Sequence, residues 1–220
     1  IISDRPEGGD PAPKSVKWNN WLGVAPERPY KKEIYHPFNW RDWQDFSNGQ
    51  LGDFGCHILD PVSMAIGLTA PTSITAEAPP INSETWTHSA RVKYVFPGNE
   101  RTAESTINLT WIDGPGHKPV KELAGIIDES KLPGAGSVLI GEKGSLLIPH
   151  VGVPKLLPEE KFVDYEKPEL ERLSHYVLWA DACRGEGTTN SNFGYAGNLT
   201  ETILLGTIAI RLRGTELKWD

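Results

Sequence analysis

Apolar residues recur along this chain at two spacings, and the change between them divides it. Leu51, Phe54, Ile58, Val62 and Ile66 follow the helical repeat, with Gly67 and Pro71 as the stop signals expected just past a helix. That spacing predicts a helix over about 51–66. Beyond it the period becomes two. Residues 74–78 read as a strand, and over 86–96 Trp86, His88, Ala90, Val92, Tyr94 and Phe96 share one face against Thr87, Ser89, Arg91 and Lys93. Pro97-Gly98-Asn99 is a turn signal. Residues 103–112 alternate again, with Ile107, Leu109 and Trp111 opposite Glu104, Thr106, Asn108 and Thr110. The two runs predict an antiparallel hairpin with one polar face, covered on one side only or meeting a partner subunit on the other.

Residues 113–136 form a long connection punctuated by Gly114, Pro115, Gly116, Pro119, Pro133 and Gly134, a length more often functional or mobile than decorative. A second hairpin is expected over 138–140 and 146–148, then a strand-poor surface crossing over 149–168. A helix over about 168–184 would carry Leu170, Leu173, Val177 and Ala180 on one stripe and stop at Gly185. After a glycine- and asparagine-rich loop, a last helix is expected over about 199–212 and a short strand over 215–219. The order describes an α+β fold: an open, mostly antiparallel sheet with helices packed on one face.

The N-terminal side lacks such periodicity. Residues 1–17 hold three prolines, two glycines and four charged residues before Lys14, and read as a linker or arm preceding one domain over 18–220. Residues 18–43 hold Trp18, Trp21, Trp40 and Trp43, half of the eight tryptophans, with Tyr30, Tyr35 and Phe38. Pro26, Pro29 and Pro37 break any regular element there. Trp18 and Trp43 read as core anchors. Tyr35, His36, Trp40 and Arg41 read equally as core or as the lining of a polar pocket. In a pocket, a ring face stacks on a sugar or nicotinamide, and a guanidinium forks onto hydroxyls or a carboxylate.

Composition narrows the classes. A hydrophobic share of 38%, a charged share of 23% and a net charge of −7 fit a soluble globular protein and argue against a nucleic-acid or anionic-membrane surface. No apolar run reaches membrane-spanning length. Cys56 and Cys183 are too few for a disulfide framework, and free, largely buried thiols are expected. The chain starts at Ile1 without a secretory pattern and reads as a piece of something longer, cytoplasmic or periplasmic.

The chemistry concentrates on the first helix. Asp53 and His57 are i and i+4, roughly 5–6 Å apart on one face, where a carboxylate can orient an imidazole that takes and holds a proton. Such a pair also occurs as a modest surface contact. Gly49, Gly52 and Gly55 tilt the reading toward a place where backbone or ligand comes close. No phosphate-binding loop, G-x-G-x-x-G, G-x-S-x-G elbow or zinc-ligand spacing is present, so no metal is expected.

WLGVAPERPY (21–30), YHPFNWRDW (35–43), GQLGDFGCHILD (49–60) and NFGYAGNLTETILLG (192–206) together resemble the C-terminal domain of the glucose-fructose oxidoreductase / inositol dehydrogenase (Gfo/Idh/MocA) family. The resemblance implies an open, mostly antiparallel sheet that forms the substrate wall and homo-oligomer contacts. It implies a nicotinamide-dependent oxidoreductase acting on a sugar, cyclitol or related polyol. His57 would be the general base and Asp53 its support or a substrate ligand, with Tyr35, His36 and Arg41 contacting substrate and Trp40 the cofactor. NAD or NADP would be bound mainly by an N-terminal Rossmann domain, outside this chain together with the family's Glu-Lys-Pro lysine. The alternatives are a non-catalytic carbohydrate-binding or oligomerisation module and an NAD-dependent redox-assisted glycosidase.

Overall fold

The computed structural model describes residues 4–115, 117–119, 121–170 and 173–219. Among these residues four α-helices and seven strands follow in the order α1 (Trp18–Leu22), α2 (Gly49–Ile66), β1 (Ser73–Glu77), β2 (Ala90–Pro97), β3 (Thr106–Asp113), β4 (Gly136–Gly141), β5 (Gly144–Pro149), β6 (Lys155–Leu157), α3 (His175–Cys183), α4 (Phe193–Arg211) and β7 (Leu217–Lys218). The strands form two sheets, ordered β3-β2-β1-β7 and β4-β5-β6, and every pairing among the described residues is antiparallel. The fold is α+β with open antiparallel sheets, as the periodicity predicts, although the hairpins are divided between two sheets.

The register shows why one face of the larger sheet is buried. Ile74 pairs with Tyr94, Ala76 and Trp111 flank Val92, and Leu109 and Ile107 lie opposite Tyr94 and Phe96. These side chains meet Leu51, Ile58 and Leu59 of α2 and Leu199, Ile203, Leu205, Ala209 and Ile210 of α4 in one core. The other face carries Thr75, Lys93 and Thr110 in a row, and Lys93 reaches Glu77 at 3.0 Å. The hydrophobic effect thus fixes which face is in, because a one-residue slip would turn Tyr94 and Phe96 outward.

Helix ends depart from the periodicity where capping decides them. Helix α2 starts at Gly49, whose φ of +74° suits glycine. A Cβ there would come within 3.0 Å of the Trp86 ring, and one at Gly55 within 3.2 Å of Ile203. At these two positions the glycines admit close protein neighbours. Helix α4 starts six residues before the expected 199, because the Asn192 side chain accepts from the Tyr195 amide. Helix α3 starts at 175, not 168, behind the N-cap Ser174. None of its residues is buried, so the expected stripe of Leu170, Leu173 and Val177 lies in solvent.

Strand β2 starts at 90 because the chain before it has other partners: Gln44 donates to Glu84 O and Trp86 to Asp42 O, both at 2.8 Å. Strand β6, within the expected strand-poor crossing, extends the second hairpin. Both cysteines are free, but both are exposed, against the expectation of burial. The aromatic segment packs around the fully buried Trp43, whose indole donates to Ile34 O at 3.0 Å. Buried Arg28 knits it together, pairing with Asp45 beneath the Tyr35 and Phe46 rings. Residues 4–17 lie along this segment, tied by Arg5 to Glu84 at 2.6 Å and by the Asp10 amide to Tyr30 O at 2.7 Å.

Candidate active site

The outward face of α2 presents Asp53 and His57. Asp53 is held from outside the helix: Arg41 Nε donates to its Oδ2 at 2.7 Å. Arg41 comes from a 3-10 turn over Asn39–Asp42, and its guanidinium lies 4.3 Å from the ring centres of both Phe38 and Trp40. In this arrangement the partner of the Asp53 carboxylate is therefore Arg41 and not His57. No hydrogen bond joins Asp53 and His57 among the described residues.

The His57 imidazole is exposed and rests against Phe54, with ring centres 5.5 Å apart. Pro61 lies inside α2 and lacks an N–H, so the His57 carbonyl has no donor one turn on. Neighbouring carbonyls take side-chain donors instead: Ser137 Oγ reaches Ile58 O at 2.9 Å, and the Tyr195 phenol donates to Asp60, 2.6 Å from Oδ1. Burial and the Asp60 carboxylate push the Tyr195 phenol above its ordinary pKa, so it stays a donor. The hairpin and α4 are thereby fastened to the helix in the turn just before its proline.

Other expected site residues are dispersed. Tyr35 is only 2% exposed, packed against Trp18, Trp43 and Phe46, and cannot touch a ligand in this arrangement. His36 is half-buried with its ring edge-on to Trp21. Trp40 is half-buried beside Arg41, within reach of the α2 surface. A Glu166-Lys167-Pro168 tripeptide also occurs in this chain, in the surface crossing after β6 and apart from the first domain where the resemblance places the family's lysine. It is exposed and makes no hydrogen bond or ion pair among the described residues.

Behind α2 lies a cavity of about 1020 Å³, walled by Phe54, Ile58, Val62, Leu109, Trp111 and Leu139 and rimmed by Arg41, His88, Asp113 and His117. Arg41 and Phe54 thus link the cavity to the α2 surface, whereas Asp53 and His57 stand outside it. Burial pushes the Asp113 carboxyl above the ordinary range against hydrogen bonds from Trp111 and Ala90. The buried Nε2 of His88 has no partner among the described residues. Sequence reasoning missed this cavity and also missed His150, whose ring meets both Phe54 and His57. Only tertiary pairing brings these residues together. Gly116 and Val120, in the expected long loop, lie outside the described residues.

Among the described residues no group of three potential metal ligands occurs, and no helix is long and apolar enough to cross a membrane. No curated protein matches the chain. A family model described as "Oxidoreductase family, C-terminal alpha/beta domain" matches residues 7–131, which include the aromatic segment, α2 and the first hairpin. With that match over more than half of its length, the chain belongs to the Gfo/Idh/MocA oxidoreductase family, as its C-terminal alpha/beta domain.

Proposed function

We propose that this domain presents the substrate face of a nicotinamide-dependent oxidoreductase acting on a sugar, cyclitol or related polyol, with His57 taking the hydroxyl proton. The observation that supports it best is an open imidazole beside a carboxylate fixed by Arg41, both on the outer face of α2. A general base has to reach its proton, and a solvent-facing ring without a protein hydrogen bond among the described residues meets that need. Asp53, already tied to Arg41, is suited to accepting a hydrogen bond from a substrate hydroxyl. Trp40 offers a side wall for stacking, and His36 supports the segment behind it.

The described residues do not fit a dinucleotide. Their strands pair antiparallel, and no glycine-rich turn leads from a strand into a helix to cradle a pyrophosphate. NAD or NADP, which supplies the hydride acceptor in this reading, is assigned to a separate N-terminal domain. This domain's own work is to hold the substrate and receive its proton.

His57→Ala in the full-length protein is expected to lower kcat by at least about 10²-fold while leaving cofactor affinity unchanged. Retained turnover would reject the assignment. The Arg41–Asp53 ion pair also suits a non-catalytic carbohydrate-binding or oligomerisation module. A full-length protein that leaves nicotinamide fluorescence unchanged on titration would favour that second reading.

A further inference from the structure

A second imidazole stands beside His57. His150 follows β5 directly, and its ring centre lies 5.5 Å from that of His57, with the planes at 67°. Both rings meet Phe54, His150 at 4.8 Å and His57 at 5.5 Å. Both side chains are exposed, and neither donates or accepts a side-chain hydrogen bond among the described residues. Their backbones are nonetheless fixed. The His150 amide donates to Ala135 O at 2.9 Å, and Ser137 Oγ fastens the same hairpin to α2 through Ile58 O. Two separately anchored rings thus converge with their polar atoms uncommitted, over an apolar ring that can meet the C–H face of a sugar.

We propose that His150 contacts the substrate, its imidazole hydrogen-bonding the hydroxyl next to the one that His57 deprotonates. The assignment rests on the hydride-transfer reading above and sharpens it to a ring-borne vicinal diol as the recognised group. Neighbouring hydroxyls on one ring project from adjacent carbons, as the two imidazoles project from adjacent elements.

The test uses the full-length protein with NAD or NADP on D-glucose, D-xylose and myo-inositol, followed by monodeoxy analogues of the compound turned over. His150→Ala is expected to lower kcat/KM by about 10-fold, and His150→Gln to recover most of it, because the amide keeps a donor and an acceptor. On the analogue lacking the contacted hydroxyl, wild type and His150→Ala should be equal. Thermal melting should not move, since the ring is exposed. Wild-type kinetics in His150→Ala, with His57→Ala inactive, would overturn the contact and leave the base in place. An equal loss on every analogue would overturn it too, as the mark of a merely structural role. If the wild type oxidises none of the panel, or if His57→Ala is also silent, the reading of His57 falls, and this assignment with it.

Discussion

Arg41 serves Asp53 at the surface and also forms part of the cavity rim, so its replacement separates stability from function. The ion pair is partly solvated, and Arg41→Ala should cost no more than about 1 kcal/mol in a urea titration. In the full-length enzyme the same change should lower kcat/KM by about 10-fold, since a free carboxylate no longer stands in one place. An unchanged kcat/KM would show that Asp53 needs no fixing. Asp53 and His57 were readable from their i, i+4 spacing because that relation is local to one helix. Arg41 as the partner of Asp53 was not, since a 3-10 turn brings it there. Tyr35 misled for a related reason: an aromatic side chain has the same letter whether it lines a pocket or fills a core.

Between elements, the tightest junction is where α4 crosses the sheet. A Cβ on Gly206 would stand 1.8 Å from Tyr94 Oη and 2.6 Å from Leu51 Cδ2. Gly206→Ala should therefore destabilise by about 1–3 kcal/mol, read from the denaturant midpoint. Tyr94 Oη is buried without a partner among the described residues, and burial pushes its ionisation well above the ordinary phenol range. Tyr94→Phe alone should thus be neutral or stabilising, and combined with Gly206→Ala it should recover part of the loss. Additive losses would refute this contact. Sheet faces and the identity of α2 were written in the two periods, which report burial directly. The start of α4 was not, because Gly194 and Gly197 weaken the local helical signal while one Asn192 cap outweighs them. Nor was the second sheet, since period two assigns faces and says nothing about which strand lies next to which.

At the scale of the molecule, Asp113 introduces a pH dependence whose sign is fixed. Its carboxyl is shifted up, chiefly by burial, so the native state binds that proton more tightly than the unfolded chain does. Its contribution to stability is full below the ordinary carboxylate pKa and is lost as pH rises through the raised native value. Glu122 and Asp128 are shifted the other way, so the measurement is the difference between wild type and Asp113→Asn across about pH 3–8. The variant should be less stable overall, because Trp111 and Ala90 both donate to this group and an amide offers a single acceptor. The difference should narrow as pH rises, and a widening gap would contradict the burial argument. The exposed thiol of Cys56, one residue before His57, has a practical consequence. With Cys183→Ser removing the other exposed thiol, a maleimide dye placed there becomes a reporter beside the proposed chemistry, its emission changing when another domain or a sugar covers that side of the helix.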